Sequence, residues 1–414
     1  MTLLDQLADP ARWERFYRYK AEHFATKDEL KRLRSYIDEA AYLPVLDGVR
    51  QGVRFALPKK SVISKINTGK KRTVYTYPPA ENLFLKHLTY LLLRKYNALF
   101  SPCLYSFRPG VGAKEAVRTL RRQAGSGAFG YKTDVRDYFN SIPTEKLLPM
   151  LKAAIPDDPP LLGFLSALLL EPEALDRGKP VTEQKGIMAG TPVSCFFANL
   201  YLSDIDAYFH NAGVRYARYS DDIILFADTA EEAAAHAETL EARLLPLGLT
   251  VNPEKEAFFT PEEGWVFLGF SCKNGVLDVS PVSVQKIKAK MRRKTRALQR
   301  WAKRKGAPGD KAALAFVRAF NRKLYENPTH RDLTWARWFF PAIETAESLG
   351  EIDRYAEDCI RVLASGKRTK ARYNVRYADI KALGFRSLVH EYYRSEKTTE
   401  VPGNGETEHG KSES

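Results

Sequence analysis

The chain switches repeatedly between helical and extended apolar spacing. Trp13 to Tyr42 carries mixed charge on a helical repeat, Gly52 to Pro78 reads as extended with a turn at Asn67-Thr68-Gly69, and Glu81 to Phe100 returns to helical spacing. Ala113 to Gln123 has the pattern of a basic amphipathic helix, Gly130 to Val135 of a short strand, Thr144 to Ala154 of a helix and Leu161 to Leu170 of a buried helix. Pro192 to Phe209 predicts a further helix, with Pro192 near the first turn, where a missing N–H costs little. Val214 to Asp228 reads as two strands meeting at Ser220-Asp221-Asp222, and Thr229 to Leu247 as a helix rich in Ala and Glu. Val266 to Val279 predicts a hairpin turning at Asn274-Gly275, a dipeptide suited to the left-handed conformations of a tight turn. From Pro281 helical spacing continues to about Ser395, and the polar run Glu396 to Ser414 is expected to be disordered. No repeat of solenoid type is present.

A hydrophobic fraction of 44% and a charged fraction of 28% are ordinary for a globular protein, but a formal net charge of +15 is not. Such an excess favours a polyanionic partner, most commonly nucleic acid. An anionic membrane is the rival, and the chain shows neither a basic amphipathic anchor nor a lipidation signal. Leu161 to Leu170 is too short to cross a bilayer, Leu88 to Phe100 is interrupted by Arg94 and Lys95, and Met1 to Arg12 lacks a signal-peptide layout. The expectation is a cytoplasmic protein with no membrane partner. Cys103, Cys195, Cys272 and Cys359 have no CxxC spacing, which argues for buried thiols rather than a zinc ribbon or disulfide framework.

The sharpest local feature is Tyr219-Ser220-Asp221-Asp222, two adjacent carboxylates between apolar, strand-like runs. Neighbouring carboxylates at a hairpin tip repel each other. A divalent cation with a preference for oxygen ligands removes that repulsion, although a solvated turn also accommodates Ser-Asp-Asp. A second strand, Lys132-Thr133-Asp134-Val135, ends at another carboxylate. If Asp134 lies beside Asp221 and Asp222 in a sheet, the set can hold two Mg²⁺ ions ~4 Å apart, the arrangement used for phosphoryl transfer. Mn²⁺ is an alternative ion. Asp137 is a weaker candidate, expected outside the strand.

Further motifs fall in a fixed order around these carboxylates. A basic Asn-Thr-Gly-Lys-Lys turn precedes Arg72, Ser106-Phe107-Arg108-Pro109-Gly110 leads into a helix, and Asp134 to Phe139 follows. Gly186 to Ser194 then precedes Ala198-Asn199-Leu200-Tyr201-Leu202, with Tyr219 to Asp222 and Phe267-Leu268-Gly269-Phe270 beyond it. Taken together, over roughly residues 55 to 280, the series resembles bacterial reverse transcriptases of the group II intron and retron kind. The resemblance implies an α+β right-hand fold of fingers, palm and thumb, with an antiparallel palm sheet and an α-helical C-terminal region. It places N-terminal helices and fingers in 1–125, the palm in 126–280 (with a fingers segment near 145–190), a helical thumb in 281–345, a basic helical region in 346–395 and a tail in 396–414.

The same resemblance implies roles. Asp134, Asp221 and Asp222 would be catalytic, with Val135 joining them in the metal-holding set. Lys65 and Arg72 would grip the triphosphate, Phe139 would be the steric gate against a ribose 2′-hydroxyl, and Ala189 and Gly190 would line the nucleotide. Arg108 would contact nucleic acid. Two departures stand out. Ala189 occupies a position where the family usually has Gln, which removes a hydrogen-bonding side chain and puts nucleotide selectivity in question. Ser220 stands where Ala is common. With no Cys- or His-rich endonuclease segment and no Val-Thr-Gly thumb signature, the chain looks most like the stand-alone, defence-associated reverse transcriptases, which copy a structured noncoding RNA. The implied partners are that RNA, the DNA product and dNTPs. A template-independent or ribonucleotide-using palm polymerase and a non-catalytic RNA-binding protein are the alternatives.

Several residues admit a plainer reading. Lys65 and Arg72 also suit a solvated basic turn, Phe139 also suits the core, and Gly190 also suits a helix-initiating turn. Lys286 to Lys305 is roughly half Lys and Arg without an acid to balance it, and on a helix Lys286, Lys290 and Arg293 or Lys294 share a face suited to duplex phosphates. Trp335, Trp338, Phe339 and Phe340 are expected in a core. Lys367 to Arg372 is a second basic patch, equally readable as an RNA contact or a solvated loop.

Overall fold

The computed structural model describes residues 2–23, 25–64, 71–125, 127–183, 186–325 and 334–399. It divides into two compact units, Met1–Leu268 with Cys272–Gly275, and Gly269–Ser271 with Val276–Ser414. The first holds the segment expected as fingers and most of that expected as palm, while residues 269–271 and 276–280 of the expected palm fall in the second with the segments expected as thumb and C-terminal helices.

In the first unit, strands β1 (Lys59–Ser64), β2 (Lys71–Thr76), β4 (Glu173–Asp176) and β5 (Lys179–Thr182) form a sheet in the order β2-β1-β4-β5. A second sheet has the order β6-β7-β3-β8, from β3 (Phe129–Asp134), β6 (Arg215–Tyr219), β7 (Asp222–Ala227) and β8 (Ala257–Phe259), and every pairing in it with a given register is antiparallel. Its alternating register separates two faces. Tyr131, Ile223, Leu225 and Tyr216 point into a large core shared with Trp13, Phe16, Phe84, Leu88, Leu240 and Leu244. On the opposite face Phe226 meets Phe259 and Trp265 edge-on. Burying a side chain of this size contributes roughly 1.5–3 kcal/mol, so a one-residue slip of β7 would forfeit both cores at once.

Two expectations are corrected here. The helix predicted over Pro192 to Phe209 begins at Ser194 and is two helices, Ser194–Tyr201 and Ser203–Asn211. Leu202 leaves helical geometry, and the Ser203 hydroxyl donates to the Leu200 carbonyl, giving the first helix a stop. The hairpin β4–β5 was not anticipated. Its strands are too short for a visible period, and Pro180 lies in β5, an edge strand, where a missing donor is tolerated.

The second unit is mainly helical. Pro281–Lys305, Gly309–Leu324 and Glu347–Ser365 pack on one another, followed by the short helices Tyr377–Ala382 and Leu388–Thr399. Strands β9 (Trp265–Phe267), β10 (Phe270–Lys273) and β11 (Val276–Val279) lie where the chain passes between the units. Between β10 and β11, Asn274 and Gly275 both adopt positive φ (51° and 74°), as that dipeptide predicts for a hairpin. Trp338 and Phe339 pack against Phe270, and Phe340 against Tyr392, so this aromatic group is core. Among the described residues no helix is long and apolar enough to cross a membrane.

Candidate active site

Strand pairing builds the site. β3 and β7 run antiparallel with Asp134 directly opposite Asp222, and the Val135 N–H donates to the Asp221 carbonyl at 3.0 Å. The predicted hairpin between β6 and β7 turns at Ser220 and Asp221, with Ser220 in the left-handed region (φ 61°). Carboxylates separated by almost ninety positions in the chain are thus held side by side. Asp134 is only 3% exposed. Its Oδ1 is buried without a hydrogen-bond partner, while its Oδ2 accepts from Lys255 Nζ. Burial and the neighbouring Asp221 push the Asp222 carboxyl up to about 6, with Lys132 acting in the other direction. This corner of the sheet is therefore short of positive charge.

Beneath the turn, on the core face, lies a complete polar network. Arg218 is fully buried, and its guanidinium donates to both carboxylate oxygens of Asp206 (2.8 and 2.5 Å), to the Ser220 carbonyl (3.1 Å) and to the Asn199 carbonyl (3.1 Å). The Tyr216 hydroxyl also donates to Asp206 at 2.7 Å. Burial opposes the Arg218 charge, and Asp206 overcomes that and holds its pKa above the ordinary value. Ser106 Oγ accepts from the Ser220 N–H at 2.8 Å and donates to Asn199 Oδ1, whose amide returns a bond to the Ser106 carbonyl. Both backbone polar groups of Ser220 are thereby fixed. Sequence reasoning missed Asp206, Arg218 and Lys255. The only signal for Arg218 was its inward position in the period-two pattern of β6.

A loop joins this corner of the sheet to the other sheet. The Ile187 N–H donates to the Phe139 carbonyl at 2.8 Å, and the Ala189 carbonyl accepts from the Tyr75 N–H of β2 at 2.8 Å. Gly190 has φ +103°, and a Cβ there would stand 3.0 Å from the Tyr75 carbonyl oxygen, so the close approach to β2 requires glycine. Phe139 is half-buried and meets Tyr138 edge-on, and Arg72 is exposed on β2. Phe139, Ala189 and Gly190 are thus linked through this loop, which meets β2 at Tyr75, three residues beyond Arg72, whereas Lys65 lies outside the described residues. Asp137 is outside β3, as expected, and accepts from Asn140.

The Arg108 guanidinium donates to Asn97 Oδ1 and to the carbonyls of Ser101 and Leu104, which holds its own segment together. In the second unit Lys286, Lys290, Arg293 and Lys294 are exposed on the helix Pro281–Lys305. Burial and then Lys323, Arg293 and Lys286 lower the Lys290 pKa, a sign of concentrated positive charge.

Among the described residues no three His, Cys, Asp or Glu side chains stand as a finished metal cage. The donors nonetheless suit Mg²⁺: they are all oxygen, one carboxylate oxygen of Asp134 is buried without a partner, and Asp222 stands against a second carboxylate.

The family model for reverse transcriptase (RNA-dependent DNA polymerase) matches residues 57–272. The group II intron-encoded protein LtrA of Lactococcus lactis subsp. cremoris is 22% identical over 210 residues, covering 50% of this chain and 34% of that protein. An uncharacterized 91 kDa protein in a cob intron of Schizosaccharomyces pombe is 27% identical over 180 residues, covering 41% of this chain and 21% of the relative. The chain thus spans about a third of the length of one relative and about a fifth of the other. Among solved structures, apo telomerase from Candida tropicalis superposes with a TM-score of 0.45 at 9% identity, over 82% of this chain and 62% of that one. Telomerase from Candida albicans with a fragment of telomeric RNA gives 0.44 at 10% identity, over 87% and 70%.

Proposed function

Because the chain belongs to the reverse transcriptase family, we propose that it extends a 3′-hydroxyl with dNTPs on an RNA template, with Asp134, Asp221 and Asp222 as its catalytic carboxylates. The observation that carries this reading is the register pairing of Asp134 with Asp222 beside a turn that ends in Asp221. Two Mg²⁺ ions, held by these carboxylates with Val135 beside them, would neutralise the triphosphate and lower the pKa of the primer hydroxyl.

The chain's own groups supply position. Asp134 and Asp222 are fixed by strand register, and Asp221 by a turn whose backbone is anchored from below by Arg218 and Ser106. Release of Asp134 Oδ2 by the flexible, half-exposed Lys255 frees both oxygens of that carboxylate. Arg72 is suited to triphosphate oxygens, which a guanidinium can engage bidentately. Phe139 serves as the gate, its backbone fixed by Ile187. The small Ala189 leaves nucleotide choice to shape at this point. Lys286, Lys290, Arg293 and Lys294 suit duplex phosphates. The resemblance to stand-alone defence enzymes supports a structured noncoding RNA as template and a role against phage.

The test is extension of oligo(dT) on poly(rA) with dTTP and Mg²⁺, and with the RNA omitted. Replacing Asp221→Ala together with Asp222→Ala should reduce synthesis by at least ~10³-fold, the scale of losing a major electrostatic stabiliser. Undiminished synthesis in that variant sinks the assignment, and equal synthesis without RNA sinks its templated form.

A further inference from the structure

The second unit carries another basic surface, formed by parts of the chain about seventy positions apart. Arg292 and Arg296 on the helix Pro281–Lys305 and Arg368 and Arg372 near the turn Lys370–Asn374 line one cleft of ≈ 240 Å³, together with Tyr355 and Asp358. One carboxylate faces four guanidinium groups. Arg372 Nε donates to Asp358 at 2.5 Å, and Arg368 donates to the neutral Gln299 amide at 3.0 Å. Arg292 and Arg296 have no ion pair with any described residue and are exposed.

Helical spacing sharpens the contrast. Lys288, Arg292 and Arg296 form one i, i+4 row. Lys288 is neutralised by Glu351, but the next two turns are left positive where the second segment adds two more arginines. Like charges gathered in this way repel, and a bound anion relieves the repulsion. A planar guanidinium fork fits phosphate oxygens. Beside the cleft Tyr373 is 49% exposed, with the Arg372 guanidinium 4.5 Å from its ring centroid. Tyr377 is 51% exposed close by in the chain. An open aromatic ring next to a phosphate-sized basic cleft suits an unpaired base stacked beside its own backbone.

We infer that this cleft is a second nucleic-acid site, which takes the phosphodiester backbone of a single-stranded RNA segment with a base on Tyr373. It is separate from the Lys286, Lys290 and Arg293 row. The inference rests on the reading that the protein handles RNA, and its test is separable from that reading.

The probe is fluorescein-labelled r(U)20, with d(T)20 alongside, titrated with the full-length protein at several salt concentrations. Arg292→Gln with Arg296→Gln should weaken r(U)20 binding by about tenfold or more and lower the slope of log K against log[salt] by about 1 to 2, as expected for lost phosphate contacts. Tyr373→Ala should weaken binding about fivefold or more with the salt slope unchanged, as expected for lost stacking. Both variants should extend oligo(dT) on poly(rA) as the parent does, because they leave unchanged the carboxylates and the residues proposed to hold the triphosphate and the duplex phosphates. Unchanged affinity and slope in both variants, with extension intact, overturns the cleft and leaves the polymerase reading standing. Equal affinity of the parent for d(T)20, lost equally in the variants, overturns the assignment to RNA.

Discussion

The two faces of the β6-β7-β3-β8 sheet handle charge in opposite ways. On the core face, Arg218 and Asp206 are fully buried, and the guanidinium meets a carboxylate and two carbonyls. On the other face, Asp134 has a buried oxygen without a partner, and Asp222 is strained toward its protonated form by burial and by Asp221. The first set is complete as folded, and the second is short of cations. An unmatched buried polar group costs on the order of 1–3 kcal/mol, a cost that the metal ions of the proposed function would offset at this strand end. The contrast separates scaffold from site across the thickness of one sheet.

The largest expected effect comes from breaking the complete side. Asp206→Leu leaves the Arg218 guanidinium buried without its counter-charge and should cost ~3–5 kcal/mol in denaturant unfolding. Pairing it with Arg218→Met should recover most of that loss, since no charge is then left buried. DNA synthesis should remain low in the double variant, because the Ser220 carbonyl has lost its donor and the turn is no longer anchored. Recovery of synthesis together with stability would mean that the pair supports the fold alone and does not position the carboxylates.

Much of the carboxylate side is legible in the sequence because it is written in local pattern. Asp134 closes a short strand and Asp222 opens the apolar run Ile223 to Ala227, and a strand end is an address. The order of the motifs then supplies their pairing. The core side is not legible in that way. Arg218 lies among Tyr216, Ala217 and Tyr219, where a charged residue reads as solvent-facing, and its partner Asp206 sits in a helix whose separate start at Ser203 depends on one hydroxyl. Arg108 shows a further structural part that its motif does not reveal, because the path of its own loop brings three acceptors to it. Such pairings depend on tertiary approach, which neither composition nor periodicity encodes.

His87 sharpens the comparison, since it too is buried with both ring nitrogens unpartnered, yet it lies in an aromatic core against Phe16 and Trp13. Burial, then the charge of Arg12, lowers its pKa from 6.5 to about 3. Between those values the unfolded chain binds the extra proton, so stability is full above about pH 6.5 and falls as pH drops toward 3. The loss between pH 6.5 and 5 should be on the order of 2 kcal/mol. His87→Phe should remove that acid-side loss while DNA synthesis at neutral pH is unchanged. A parallel loss in the variant would assign the acid sensitivity elsewhere, and a loss of synthesis would make His87 more than an accommodated core residue.

The smallest effect is the most specific to the incomplete face. The Asp222 carboxyl is raised from 3.8 to about 6, so the fold favours its protonated form. Its ionisation leaves stability intact below about pH 4, and stability is lost as pH rises through 6. In metal-free buffer at pH 8, Asp222→Asn should therefore be more stable than the parent by on the order of 1–2 kcal/mol, allowing for solvent screening at a half-buried group. At pH 4 the two should unfold alike. If Mg²⁺ binds the folded site as proposed, by mass action it should raise the parent's melting temperature at pH 8 and narrow that gap, with a weaker response in the variant. Lys255 pairs with Asp134, whereas the Asp222 shift comes from burial and Asp221, so Lys255→Gln should increase the Mg²⁺ response without removing the pH effect. If Mg²⁺ stabilises parent and Asp222→Asn equally, the cation is being held somewhere other than at this strand end, and the unmatched carboxylates would need another explanation.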